Sequence, residues 1–177
     1  MNNPSLPLEG PNEPLSAKTD KRRGSDTIDA TDLAILRALQ QDARLTVKEV
    51  AARVNLSTTP VFERIKRLEQ RGYIKGYVAV VDAEKLGRGF SVFCSIKMRR
   101  ISSDIAQQFA ETVRDIPEVT ECYNISGGYD YLLKIQVGDM KRYRELVLGV
   151  IGQIEHLASL ESTFVMDELK HSYGIVV

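Results

Sequence analysis

At Gly72 the hydrophobic period of the chain changes, and no other feature constrains the fold as much. Before it, apolar residues recur every three or four positions: Leu33, Ile35, Leu36 and Leu39, then Val47, Val50, Ala51 and Val54, then Val61, Ile65 and Leu68. That spacing lines one face of a helix. After it, β-branched and aromatic residues crowd Tyr73 to Val81. From Phe90 alternation is strict, with Phe90, Val92, Cys94, Ile96 and Met98 on one side and Ser91, Ser95, Lys97 and Arg99, joined by Phe93, on the other. A period of two belongs to a strand. A helical module is therefore followed by an α+β module, and 177 residues suffice for two small domains.

The helical module has three segments. Asp29 or Thr31 can cap a first helix running through Gln41. Thr46 and Glu49 form a capping-box pattern that opens a second helix. Asn55-Leu56-Ser57 then breaks the pattern in three residues, with Ser57 as N-cap and Pro60 in the first turn of a third helix, where its missing N–H costs little. Gly72 stops that helix as a C′ residue. Two short helices joined by three residues, after a supporting helix, predict a helix-turn-helix over residues 28–73. Residues 1–27 hold four of the six prolines and no hydrophobic period, and read as a flexible tail whose Lys21-Arg22-Arg23 cluster is either solvated or a basic arm.

A strand and linker occupy 74–89, and residues 90–171 follow the order strand, helix, strand, strand, helix, strand. Ile105, Phe109, Val113 and Ile116 mark the first of these helices. Val119–Ser126 and Tyr129–Val137 are strands meeting at a tight Gly127-Gly128 hairpin. Asp139–Ile154 is a helix burying Met140, Tyr143, Val147, Val150 and Ile154, and a last strand runs near Leu157–Leu169. This is a ferredoxin-like βαββαβ unit, with residues 172–177 as a C-terminal tail.

Charge and composition narrow the function. The formal net charge is zero, yet Asp29–Lys75 carries nine basic against six acidic residues and Gly76–Val177 eleven against fourteen. A mildly basic module is attached to an acidic one. With 43% hydrophobic residues and no apolar run near the roughly 20 needed to span a bilayer, the expectation is a soluble, cytoplasmic protein, and MNNPSLPLEGPNEP lacks the pattern of a signal peptide. Cys94 and Cys122 stand far apart and read as buried or half-buried small hydrophobes, and His156 and His171 have no partner at metal-ligand spacing. No metal site, nucleophile set or phosphate-binding glycine loop is expected, so neither an enzyme nor a cofactor.

On the third helix, Val61, Ile65 and Leu68 face inward with Phe62 flanking, and Thr59, Glu63, Lys66, Arg67 and Gln70 lie opposite. Lys and Arg suit phosphate or guanine, Gln adenine, Glu the cytosine amino group and Thr a thymine methyl. A recognition helix presents its N-terminal residues to bases, here Ser57, Thr58, Thr59, Pro60 and Glu63, with Arg64 adding charge. An exposed helix with ordinary solubilising charges fits the same helix alone. The preceding turn, the basic balance and the following strand favour double-stranded DNA.

The run NLSTTPVFERIKRLEQRGYIKGYVAVVD, with the later SGGYDYLLKIQVGDMKRY, resembles the Lrp/AsnC (feast/famine) family of transcription regulators, particularly its leucine-responsive branch. The resemblance spans about residues 28–170. It implies a winged helix-turn-helix domain, a C-terminal RAM domain that dimerises and responds to amino acids, and assembly of homodimers into rings, often octamers, that bend or wrap DNA. It also implies an effector site near Gly127, Tyr129 and Asp130; Gly128 stands where relatives often carry an acid, and Ser162, Thr163 and Val165 resemble positions lining the same cleft. Chemically, the N–H groups of Gly127 and Gly128 could hold an α-carboxylate and Asp130 an α-ammonium. Asp130 could equally fix the turn, and alternation makes Ser162, Thr163 and Val165 ordinary strand residues. The expected function is a sequence-specific regulator answering to leucine or another apolar amino acid. The alternatives are an architectural DNA-wrapping protein and a metabolic enzyme or enzyme-regulatory subunit built on the ferredoxin-like domain.

Overall fold

The computed structural model describes residues 27–177, so the tail expectation and the Lys21-Arg22-Arg23 cluster lie, apart from Thr27, outside the described residues. The chain divides into two compact units between Lys75 and Gly76, with Val177 assigned to the first.

Three helices make the first unit: α1 (Ala30–Gln41), α2 (Val47–Arg53) and α3 (Thr58–Gln70). Asp29 caps α1 in a reciprocal box, its carboxylate accepting from the Asp32 amide at 2.8 Å while the Asp32 carboxylate accepts from the Asp29 amide at 3.3 Å. The Thr46–Glu49 box opens α2 as its spacing predicts, with the Thr46 amide donating to Glu49 Oε2 at 2.7 Å. Ser57 occupies the N-cap position of α3 with an extended backbone, but its side chain makes no capping hydrogen bond. The α2–α3 turn is held instead by Asn55 at φ 55°, with the Leu56 amide returning to Ala51 O at 3.0 Å. Gly72, at φ 72°, closes α3 in the same way, the Gly72 amide reaching Glu69 O at 3.0 Å and the Tyr73 amide Leu68 O at 2.9 Å. The core is Ile35, Leu36, Val50, Ala51, Val61 and Leu68. Phe62 does not join it and stands 51% exposed, since its position turns beyond the edge of the Val61–Leu68 stripe.

The second unit is the ferredoxin-like α+β fold. Strands β1 (Phe90–Met98), β2 (Val119–Asn124), β3 (Tyr131–Val137) and β4 (Leu157–Phe164) form one antiparallel sheet in the order β2-β3-β1-β4. Helices α4 (Ser103–Arg114) and α5 (Met140–Gly149) cover one face, where Val92, Cys94, Ile96 and Met98 meet Tyr131, Leu133, Ile135 and Val137 beneath Phe109, Val113, Tyr143 and Leu146. Phe109 stacks on Tyr131 with centroids 4.1 Å apart. The opposite face carries Ser91, Phe93, Ser95 and Lys97 of β1 beside Gln136, Lys134 and Leu132 of β3.

Four expectations need correction here. Among the described residues Tyr73–Val81 forms no strand, and Val78 is left 76% exposed. The last strand stops at Phe164; β1 begins at Phe90, so after the Val165 amide bonds Ser91 O there is no strand left for Met166–Leu169 to pair with. Helix α5 ends at Gly149 and a 3-10 turn (Ile151–Gln153) follows; Leu146 and Ile151 are buried, whereas Met140, at the start of α5, and Val150 are exposed. Cys94 is buried, and burial pushes its thiol up to about 11, whereas Cys122 on edge strand β2 is exposed.

Candidate nucleic-acid interface and ligand cleft

Helix α3 is anchored by Val61 and Leu68 and exposes Thr58, Thr59, Pro60, Glu63, Lys66 and Gln70, after an exposed Ser57. Pro60, Glu63, Arg64, Lys66, Arg67 and Gln70 line one shallow surface. All nine expected DNA-contacting residues thus stand on one helix and its leading turn. Two of them are also tied down. Arg64 Nη1 donates to Asp29 Oδ2 at 2.6 Å and Asp32 Oδ1 at 2.7 Å, and Arg67 Nη2 donates to both oxygens of Asp32 at 3.0 and 2.9 Å. Asp32 is only 2% exposed, and two guanidiniums and the Asp29 amide satisfy its oxygens. The backbone amide of Asp32, followed by Arg64, holds the Asp29 carboxyl below its ordinary 3.8. Sequence reasoning counted Asp29 and Asp32 only as capping and charge. The pairing spans 32 to 35 residues, and the only local signal is the Asp-x-x-Asp spacing itself.

In the second unit the expected Gly127-Gly128 hairpin is a wider loop. Asn124 pairs with Tyr131, the Ile125 amide donates to Asp130 O at 2.9 Å, and only Gly127 takes a positive φ, 125°. The cause is Asp130, whose amide donates to Ile96 O at 2.9 Å and whose carboxylate accepts from the Met98 amide at 2.8 Å and Lys97 Nζ at 3.0 Å. Residue 130 is committed to β1, so the turn opens around it. Those bonds, the Met98 amide first, hold the carboxyl below its ordinary 3.8. Tyr129 donates its phenol to Glu161, a residue facing Ser95 on the sheet face away from the helices. Lys97, Tyr129, Asp130 and Glu161 therefore gather at one end of that face.

Ser162 and Thr163 do not share a cleft. Ser162 pairs with Cys94 on the helix-covered face and shares a 2.5 Å hydrogen bond with the Tyr143 hydroxyl, whose pKa burial pushes up to about 12. Thr163 pairs with Phe93 and faces the other way. Period-two alternation places neighbours on opposite faces, and this was readable in the sequence. A separate groove of ≈ 620 Å³, lined by Val78–Glu84, Val165–Glu168, His171 and Tyr173 among others, includes none of the expected loop residues. Among the described residues no group of three or more His, Cys, Asp or Glu side chains could hold a metal ion, and no helix is long and apolar enough to cross a membrane.

Residues 28–75 match the winged helix-turn-helix DNA-binding model and residues 91–175 the Lrp/AsnC ligand-binding domain model, in the order the two units stand. The DNA-binding transcriptional activator DecR of Escherichia coli (strain K12) is 38% identical over 150 residues, covering 85% of this chain and 99% of DecR. The chain belongs to the Lrp/AsnC family of transcription regulators. The leucine-responsive regulatory protein of Klebsiella pneumoniae is also 38% identical, over 157 residues, covering 89% of this chain and 95% of its own. Among solved structures, a Neisseria meningitidis transcriptional regulator in complex with L-Met superimposes with a TM-score of 0.80 at 35% identity, covering 84% of this chain and 96% of that one. An AsnC family regulator from Agrobacterium tumefaciens gives 0.79 at 37% identity, with the same coverage. This Lrp/AsnC chain is accordingly a DNA-binding regulator with an amino-acid ligand-binding domain, and its named relatives are transcription regulators.

Proposed function

We propose that this Lrp/AsnC regulator reads duplex DNA through α3, with Ser57, Thr58, Thr59, Pro60, Glu63, Arg64, Lys66, Arg67 and Gln70 supplying phosphate and base contacts, and that an apolar amino acid tunes its binding. The observation that carries the reading is α3 itself, fastened by Val61 and Leu68 and presenting a polar, partly cationic face on a helix-turn-helix. The effector site is the 125–130 loop, where Gly127 and Gly128 are exposed beside Tyr129, Lys97 and Glu161. An ammonium and a carboxylate there match the two ends of a free amino acid. The L-Met complex of the Neisseria relative and the name of the leucine-responsive one support methionine or leucine. No further cofactor enters this reading.

The working unit is a homodimer, assembling into a larger ring. The exposed Val78, Val80 and Val81 support it, since neighbouring apolar side chains on the surface suit burial against a second copy. Two recognition helices on a two-fold axis then address two half-sites. The protein acts in the cytoplasm, on the nucleoid.

An architectural DNA-wrapping role without a strict effector is the second reading. It is favoured by the prior engagement of Asp130 with Met98 and Lys97. Fluorescence anisotropy separates the two, using a duplex selected from a random pool by the wild-type protein, with and without each common amino acid. A shift in affinity with leucine or methionine is expected. Selective binding that no amino acid moves would leave a regulator without this effector, and equal binding to unselected DNA would favour the architectural role.

A further inference from the structure

We infer that Asp32, a residue of α1 that itself meets no DNA, is a positioning and selectivity residue: it holds Arg64 and Arg67 of the reading helix in fixed poses and cancels their charge toward indiscriminate phosphate binding. The inference rests on α3 being the reading helix. Both Asp32 oxygens accept from guanidiniums, and Asp29 takes a second share of Arg64, so two cations on α3 face two anions at the start of α1. That four-residue cluster is formally neutral. Without that cluster the unit keeps seven basic against four acidic residues, so its excess of three is carried by other side chains.

A guanidinium carries five N–H donors in a rigid fork, and the Asp32 hydrogen bonds use one terminal nitrogen of each arginine. The remaining edges stay available to bases, because Arg64 and Arg67 are 25% and 40% exposed. An arginine already locked in one rotamer loses little freedom on binding and cannot swing to the nearest phosphate. Fixed geometry favours the matched base, and the neutralised charge disfavours everything else. A carboxylate that only compensated charge inside the fold would have neither effect.

The test measures anisotropy of a selected and a random duplex across a salt series for wild type, Asp32→Asn, Asp29→Asn and Lys66→Ala. Asparagine is isosteric with aspartate and remains a good N-cap, so Asp29→Asn preserves α1. For Asp32→Asn, tighter binding to random DNA is expected, with the log–log salt slope steeper by about 0.9 for each additional phosphate neutralised. The ratio of selected to random affinity should fall by about tenfold, the scale of one bidentate arginine–base pairing. Asp29→Asn should move both readouts in the same direction by less, and it carries the test if circular dichroism shows Asp32→Asn unfolded. Lys66→Ala should weaken both duplexes. If Lys66→Ala weakens binding while the aspartate variants keep wild-type slope and ratio, the positioning role is overturned and the reading helix stands. If Lys66→Ala also changes nothing, the choice of α3 itself fails.

Discussion

The two units use similar polar devices around apolar cores of very different size. The helix-turn-helix unit buries six core residues, whereas the ferredoxin-like unit buries fourteen around a four-stranded sheet. The smaller core is supplemented by reciprocal caps at Asp29–Asp32 and Thr46–Glu49, two left-handed turn residues at Asn55 and Gly72, and the aspartate–arginine cluster joining α1 to α3. The larger unit uses polar devices as well: side-chain caps at Ser102 and Asp139, the buried Glu118 paired with Arg142, and Asp130, which ties the 125–130 loop to β1. With six rather than fourteen core residues beside them, such groups carry a larger share of the smaller unit's fold. Arg64 and Arg67 of the aspartate–arginine cluster also line the polar face of α3 proposed to meet DNA.

The largest effect that can break this comparison is Phe109→Ala. It removes a fully buried ring stacked on Tyr131 and should cost about 3–5 kcal/mol. Thermal unfolding followed by circular dichroism should show the loss, and light scattering should show the proposed assembly falling apart. Leu68→Ala should cost about 2–5 kcal/mol from a core less able to absorb it. DNA binding should then disappear while the oligomeric mass is kept. Loss of assembly in Leu68→Ala would mean that the units do not fold separately.

A smaller effect sharpens the polar side. The Asp130 carboxyl titrates below its ordinary 3.8, the Met98 amide being the main cause and Lys97 the second. A depressed carboxylate contributes stability that is present above the unfolded value, about 3.9, and lost as pH falls through the lower folded value. Urea unfolding of Asp130→Asn should therefore depend less on pH than wild type below about pH 4. An unchanged acid limb would show that the Asp130 hydrogen bonds add no net stability.

Most of the fold was legible because it is written in local periods and caps. The stripes of all three N-terminal helices, the Thr46–Glu49 box, the Gly72 stop and the strict alternation of β1 each state their outcome within a few residues. One miss is local and the others are non-local. Ser57 has cap chemistry, but the turn is closed by Asn55 and Leu56. Gly127-Gly128 suits a tight hairpin, yet Asp130 bonds to a strand more than thirty residues earlier and spreads the loop. Tyr73–Val81 has strand composition, and composition says nothing of where a partner comes from. The site divides in the same way: the face of α3 follows from its period, whereas the restraint on Arg64 and Arg67 required knowing what α1 brings beside them.

The most direct test of the reading helix is affinity cleavage from its exposed face. Gln70→Cys in a Cys122→Ser background, with buried Cys94 unreactive, would carry an iron chelate that cuts DNA nearby. On the selected duplex, two clusters of cuts are expected, related by a dyad and separated by about 10 base pairs or a multiple of that, one for each recognition helix of a dimer. Cleavage scattered evenly along the duplex, or none on a fragment the labelled protein still binds, would contradict α3 as the element that reads DNA.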